Sequence, residues 1–141
     1  MKLNRRAFIV AGSAAMSAPY VLAQGAGRPK VVVVGGGAGG ATAARYLAQD
    51  SEGAIEVTLI EPSRTYFSCF FSNLYLGGFK SLEEIGHTYG TLPASFDMNV
   101  VHDWVVDVDH AVKTVTLGSG ARLHYDKLIL SPGIDFVDMS V

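Results

Sequence analysis

A glycine-rich turn, followed later in the chain by a carboxylate, is the strongest chemical signal in this sequence. Glu61 lies 21 residues beyond Gly40, the end of the turn. Gly37 lets the backbone approach a pyrophosphate, and Glu61 is placed to accept hydrogen bonds from a ribose diol. We therefore predict a dinucleotide site, against the alternative of a turn that serves packing only. The residues of the turn are Gly35, Gly36, Gly37, Ala38, Gly39 and Gly40.

The segments that flank this turn have the order of a βαβ unit. Four valines, Val31 to Val34, precede the turn, and a second apolar run, Val57 to Ile60, leads into the carboxylate. Gly35 allows the tight turn, and Gly40 lets the following helix pack close to the strand. That helix directs its first amides and its positive dipole end at the phosphates. The predicted elements are a strand at Lys30–Val34, a helix at Ala38–Gln49 and a strand at Glu56–Ile60.

The rest of the chain predicts an antiparallel meander and a returning strand. A long insertion runs from Pro62 to about Met98, and a last apolar strand, Lys127–Leu130, ends at Ser131-Pro132-Gly133. Between them, turn residues separate three short strand-like runs. The fold class is therefore α/β, a Rossmann-like βαβ unit with an antiparallel β-meander. The three runs are Val100–Val108, Lys113–Leu117 and Arg122–His124.

The closing segment, Tyr125 to Gly133, resembles the FAD domain of the glutathione-reductase class. That class carries Tyr-Asp-x-Leu-Ile-x-Ala-Thr-Gly here, and this chain replaces Ala-Thr by Ser131-Pro132. The resemblance implies that FAD is the cofactor, that Ser131 and Gly133 lie beside it, and that the backbone near Val105 meets the adenine. Members of the class continue with a second nucleotide-binding domain. We therefore interpret residues 24–141 as the N-terminal part of an FAD-binding domain, incomplete at its C-terminus.

The aromatic segment around Cys69, the only cysteine in the chain, makes the resemblance more specific. The segment Cys69-x-x-Ser72-Asn73 is similar to one in the flavoprotein of flavocytochrome c sulfide dehydrogenase. In that family the cysteine of this segment carries FAD through a thioether to the 8α-methyl carbon, and Cys69 is the matching position. The resemblance also implies contact at Pro62, sulfide oxidation at a redox-active disulfide that lies in the missing C-terminal part, and electron transfer to a c-type cytochrome subunit. No catalytic residue is expected in this fragment. The stretches that resemble flavocytochrome c sulfide dehydrogenase flavoproteins are Val31–Ala44, Glu61-Pro62, Cys69-x-x-Ser72-Asn73, Gly77-Gly78, Val100–Asp103 and Ser131–Asp135.

Cys69 and the whole chain each have alternative interpretations. Cys69 is alternatively a buried, inert thiol, or a redox nucleophile as in NADH oxidases and coenzyme A disulfide reductases. The chain is alternatively part of a sulfide:quinone or pyridine-nucleotide-linked flavoenzyme. An alternative from a different functional class is that the chain is a short, non-catalytic nucleotide-binding or assembly module.

The first 23 residues predict a secretory signal. Arg5-Arg6 precede a short apolar run, Ile9 to Ala18, and Val21-Leu22-Ala23 offers small residues to a signal peptidase. The paired arginines favour the twin-arginine route and a periplasmic location. The run is shorter than the roughly 20 residues that span a bilayer, so we expect no transmembrane segment.

Charge and side-chain spacing exclude other classes of partner. Removal of Lys2, Arg5 and Arg6 from the 11 basic residues leaves 8, against 13 acidic residues. The basic residues are few and scattered, so we expect no nucleic-acid binding. No pair of His, Cys or Asp has metal-ligand spacing, so no metal is expected. His102 and Asp103 are predicted to have structural roles.

Export by the twin-arginine route is tested by replacing both Arg5 and Arg6 with lysine. The double variant should leave the precursor in the cytoplasm, because the route depends on the arginine pair. Cell fractionation and immunoblotting measure the distribution. An Arg28→Lys control, beyond the predicted cleavage site after Ala23, should be exported normally. Periplasmic delivery of the double variant at the normal level would contradict the prediction.

Overall fold

The valine run forms strand β1 (Lys30–Val34) at the centre of the fold in the computed structural model, which describes residues 27–134. Successive side chains of a strand point to opposite faces. Val31 and Val33 therefore pack on one face and Val32 on the other, each no more than 7% exposed. A parallel strand that is covered on both faces consists of consecutive apolar residues, and this explains the four successive valines here.

Four strands form a parallel sheet in the order β5 (Met98–Val101), β2 (Glu56–Ile60), β1, β9 (Lys127–Leu130). The chain leaves β1 through helix α1 (Ala38–Asp50) and returns to the same sheet as β2. The register places Val33 opposite Leu59 on one side and Ile129 on the other. The sheet therefore brings the ends of β1, β2 and β9 to one edge.

Helix α1 covers one face of the sheet and a meander covers the other. Ala44 and Ala48 of the helix are buried, and their small side chains let it lie close to the strands. Val115, Leu117 and Tyr125 are buried against the opposite face. The result is three layers: helix, parallel sheet and antiparallel sheet. The meander consists of β6 (Val105–Asp109), β7 (Thr114–Leu117) and β8 (Arg122–His124).

The long insertion between β2 and β5 is folded into short elements. Strands β3 (Thr65–Phe67) and β4 (Gly86–Thr88) pair antiparallel as a separate ribbon. Between and after them lie two 3-10 turns and two short helices. The insertion thus places several of its side chains beside the glycine turn. The turns are Cys69–Phe71 and Glu83–Ile85, and the helices are α2 (Ser72–Leu76) and α3 (Thr91–Ser95).

The structure confirms the predicted βαβ unit, the meander and the returning strand. Helix α1 ends one residue later than predicted, at Asp50. The single run predicted at Val100–Val108 is wrong, because the chain turns at His102–Trp104 and divides it into two strands. Only the second of these, β6, belongs to the meander, whereas β5 extends the parallel sheet. Strand β7 begins one residue late, since Lys113 has a φ of 51° and leaves the strand conformation.

The predicted secretory signal, with Arg5-Arg6 and the cleavage site after Ala23, lies outside the described residues. Within residues 27–134, no helix has the length and apolar character needed to cross a membrane. In the same part of the chain, no cluster of three or more His, Cys, Asp or Glu side chains could hold a metal ion.

Candidate functional site

Glycine is required at two positions where the turn meets its neighbours. Gly35 has a φ of +96°, which L side chains rarely adopt, and a Cβ there would collide with the carbonyl oxygen of Ser131. A Cβ on Gly40 would collide with the carbonyl oxygen of Gly35. The turn is therefore pressed between the end of β9 and the first turn of α1.

Gly37, in contrast, borders open space. A Cβ built at Gly37 would have no atom within 4 Å among the described residues. Gly37 is also the N-cap of α1, and no side chain in the described part of the chain caps that helix start. The first amides of a helix need acceptors, and its positive dipole end favours an anion. The open turn, followed by Ala38 and Gly39, therefore fits a pyrophosphate group.

Glu61 is held by two backbone amides at the end of β2. Its Oε2 accepts a 2.6 Å hydrogen bond from the Gly36 N–H, and its Oε1 accepts one of 2.9 Å from the Ser63 N–H. Each carboxylate oxygen can accept a further bond. The side chain is half-buried, and the two amides orient it. Glu61 can therefore still accept from a ribose diol, the role predicted for it.

Two adjoining clefts cross the carboxyl ends of β1, β2 and β9. One has a volume of about 200 Å³ and the other about 310 Å³. Such an edge of an open α/β sheet is where ligands bind in this architecture. Both clefts share Gly35, Glu61, Ser63 and Pro132 as walls. Lining residues of the first include Gly37, Tyr66, Tyr89, Ser131 and Gly133, and those of the second include Ile60, Pro62, Trp104 and Val105.

The structure thus gathers most of the predicted site residues around one groove. Ala38 and Gly39 stand at the helix start beside it. Cys69 does not line either cleft. It lies on the exposed 3-10 turn after β3, so the interpretation of Cys69 as a buried, inert thiol is wrong.

Tyr66 connects Cys69 to the groove. Burial, and then the neighbouring Cys69, raise the pKa of the Tyr66 phenol. Tyr66 itself lines the first cleft. The Cys69 thiol therefore lies just outside the groove wall, accessible to solvent. The aromatic side chains beside it are also exposed rather than packed into a wall: Phe70, Phe71, Tyr75 and Phe79.

Tyr89 is a site residue that the sequence patterns do not predict. It is 5% exposed, and its hydroxyl donates a 2.8 Å hydrogen bond to the carbonyl oxygen of Gly36. Burial, followed by the charges of Glu61 and Tyr66, raises the pKa of Tyr89 to about 12. The hydroxyl therefore stays protonated and remains a donor. No motif marks this tyrosine, because it reaches the turn from the insertion, 53 residues away in the chain.

His102 and Asp103, predicted to have structural roles, both make hydrogen bonds to the backbone, and Asp103 also lines the second cleft. The His102 Nδ1 lies 3.0 Å from the carbonyl oxygen of Glu61, to which it can donate. Asp103 accepts hydrogen bonds from the amides of Trp104 and Ser119, at 2.7 and 3.2 Å. Hydrogen bonding from Ser119, first through its side chain and then through its amide, lowers the pKa of the Asp103 carboxyl. These hydrogen bonds fix the turn between β5 and β6 and so form the second cleft beside Val105.

Comparison with known proteins places this geometry in a family. The model of the pyridine nucleotide-disulphide oxidoreductase family matches residues 29–140. The sulfide-quinone reductase of Aquifex aeolicus (strain VF5) is 31% identical over 105 residues, 73% of this chain and 24% of that protein. The sulfide dehydrogenase [flavocytochrome c] flavoprotein chain of Chlorobaculum thiosulfatiphilum is 51% identical over 47 residues, 33% of this chain and 96% of the curated sequence.

Solved structures show the same fold. The sulfide:quinone oxidoreductase from Aquifex aeolicus has a TM-score of 0.71 and 26% identity, over 78% of this chain and 25% of that chain. Reduced Bacillus anthracis CoADR-RHD has a TM-score of 0.68 and 30% identity, over 82% of this chain and 22% of that chain. This chain spans about a quarter of the length of these proteins.

These comparisons confirm the fold class and the resemblance to the flavocytochrome c flavoprotein. The family match covers the glycine turn, Glu61, the insertion with Cys69, the meander and the returning strand. With its open glycine turn, its acidic residue after β2 and its three layers, the chain belongs to the pyridine nucleotide-disulphide oxidoreductase family.

Proposed function

We propose that this chain is the N-terminal FAD-binding part of a periplasmic flavoprotein that oxidises sulfide and passes electrons from FAD to a c-type cytochrome. The observation that carries the proposal is the groove at the ends of β1, β2 and β9. It combines an open, uncapped helix start at Gly37 with an oriented acceptor at Glu61. This pairing suits a dinucleotide.

The residues around the groove fit FAD in an extended arrangement. The amides of Gly37, Ala38 and Gly39 would hold the pyrophosphate, and Glu61 the ribose of the adenosine half. The second cleft, with Val105 as a wall, would take the adenine. Ser131 and Gly133 line the first cleft and would lie towards the flavin half. When bound, FAD supplies the redox chemistry, and these residues bind and orient it.

Sulfide as substrate rests on the two curated relatives. One is named a sulfide-quinone reductase and the other a sulfide dehydrogenase flavoprotein. This chain spans about a quarter of the first, and it has a single cysteine, which cannot form a disulfide alone. The sulfur-reacting cysteines would therefore belong to polypeptide beyond this chain, and we assign no catalytic residue within it.

The main alternative to this proposal is a sulfide:quinone oxidoreductase, which differs from it in the electron acceptor. A c-type cytochrome is favoured by the 51% identity to the flavoprotein chain of flavocytochrome c. A quinone is favoured by the longer match, 105 residues, to the sulfide-quinone reductase. We prefer the cytochrome, because the match to the flavocytochrome c chain has higher identity and because the predicted twin-arginine signal directs the protein to the compartment of c-type cytochromes.

Covalent attachment of FAD through Cys69 is part of the proposal. The thiol is exposed, lies beside Tyr66 at the groove wall, and has no cysteine partner in the chain. Its sulfur would be joined by a thioether to the 8α-methyl carbon of the flavin; the S–H bond and one C–H bond of that methyl group would be given up, and the two electrons would pass into the oxidised flavin ring. A covalent bond would prevent loss of FAD after export. The rival, a redox nucleophile, is favoured by the structural likeness to CoADR-RHD.

The acceptor assignment is tested with the complete protein under anaerobic conditions. Sulfide should reduce a c-type cytochrome rapidly and a soluble quinone analogue slowly, as followed by absorbance at the haem and quinone bands. Efficient reduction of the quinone with none of the cytochrome would establish the rival. Absence of any sulfide-dependent reduction of bound flavin would contradict the sulfide assignment itself.

Replacement of Gly37 by valine tests the phosphate turn. The added side chain enters open space, so the fold should keep its melting temperature, whereas the bulk should push the pyrophosphate away. The complete Gly37→Val protein should lose most of its flavin, measured as the ratio of flavin to protein absorbance. Gly27→Val is the matched control, because Gly27 also has open surroundings and precedes β1, at the end of that strand remote from the groove; this variant should keep its flavin. Unchanged flavin content in the Gly37→Val protein would contradict the assignment of the glycine turn as the pyrophosphate site.

Acid precipitation of the complete holoprotein tests the attachment. A thioether survives denaturation, so the pellet should stay yellow and a tryptic peptide containing Cys69 should carry the flavin mass. The Cys69→Ser protein should fold and bind FAD, since the turn and Glu61 are intact, but should release it in acid. Release of wild-type flavin in acid, with Cys69 titrating as an ordinary thiol, would refute attachment and leave the FAD site standing.

A further inference from the structure

The backbone N–H and C=O groups of Gly36 each form a hydrogen bond with a side chain. The N–H donates to Oε2 of Glu61 at 2.6 Å, and the carbonyl oxygen accepts from the Tyr89 hydroxyl at 2.8 Å. Gly36 is buried, and a Cβ there would lie 2.8 Å from atoms of both side chains. The residue is therefore enclosed between a carboxylate from the end of β2 and a phenol from the insertion.

These two bonds fix the orientation of the neighbouring peptide groups. All peptide bonds in residues 27–134 are trans, and a planar trans peptide points its C=O and N–H in opposite directions. Because the carbonyl of Gly36 faces Tyr89, the N–H of Gly37 points away from Tyr89. By the same rule, the bond to Glu61 turns the carbonyl of Gly35 away, towards Gly40.

Without these bonds, a peptide between two glycines would rotate easily. Glycine populates positive and negative φ about equally, so neither Gly36 nor Gly37 resists a flip of the peptide that joins them. A flip would turn the Gly36 oxygen to the side where the Gly37 N–H had been. An anion beside the turn would then meet a carbonyl oxygen instead of a donor.

Tyr89 is itself held in place. Its ring meets His102 edge to face, with centroids 5.8 Å apart, and His102 Nδ1 lies 3.0 Å from the Glu61 carbonyl oxygen. Tyr89 also belongs to the buried cluster between α1 and the sheet. The Tyr89 ring is therefore packed against His102, in the turn after β5, and against the core, and both contacts limit its movement. Such packing keeps the donor aimed at one oxygen.

We propose that Tyr89 is a positioning residue of the phosphate turn: its hydroxyl locks the Gly36–Gly37 peptide with the N–H of Gly37 available to the pyrophosphate. The inference rests on the proposed FAD site and deepens it. Loss of the hydroxyl should weaken FAD binding by about tenfold, the effect of one buried hydrogen bond.

The experiment uses the complete protein carrying Cys69→Ser, so that FAD binding is reversible whether or not the wild type is covalent. Tyr89→Phe removes the hydroxyl and keeps the ring that packs against Gly36. Tyr46→Phe, on the exposed face of α1, is the matched control at a tyrosine that is 51% exposed. The FAD dissociation constant is measured by flavin fluorescence, and the pyrophosphate environment by ³¹P NMR at saturating FAD.

Tyr89→Phe should raise the dissociation constant about tenfold and shift the ³¹P resonances of bound FAD, whereas Tyr46→Phe should change neither. A purely structural role would lower the melting temperature and leave the ³¹P resonances in place, which would overturn the inference. Unchanged affinity in Tyr89→Phe would overturn it as well. If neither the wild type nor the Cys69→Ser parent bound FAD, the proposed function would fall, and the inference with it.

Discussion

The close approach of three backbone segments at the glycine turn is the constraint on which this structure depends. The carbonyl oxygen of Ser131 occupies the space of a Gly35 side chain, and the carbonyl oxygen of Gly35 occupies that of Gly40. Strand β9 can lie beside β1, and α1 can begin directly after the turn, only because these side chains are absent. The groove at the sheet edge exists because the three segments converge there.

The electrostatics of the groove follow from the same arrangement. The uncapped start of α1 presents donors and a positive dipole end, which favour an anion at Gly37. Glu61 carries a negative charge nearby, yet the amides of Gly36 and Ser63 bind its two oxygens. Those bonds hold the carboxylate to one side of the turn. Acceptor and donors can therefore serve the ribose and the pyrophosphate of a single dinucleotide without competing for the same position.

The three layers explain why a short chain can hold such a site. One valine strand is buried on both faces, against α1 on one side and the meander on the other. The insertion supplies walls of the groove at the sheet edge, among them Tyr66 and Tyr89. The aromatic side chains beside Cys69 lie outside these layers and are exposed, as is Cys69 itself.

The sequence by itself determined the βαβ unit, the glycine turn with Glu61, the meander and the returning strand. These features depend on local periodicity and spacing, which a linear pattern records. Only the tertiary structure decided that β5 joins the parallel sheet, that Cys69 is exposed, and that Tyr89 bonds to Gly36. Each of these depends on contacts between distant segments. Such contacts are set by how the layers pack, and they leave no repeating pattern in the chain.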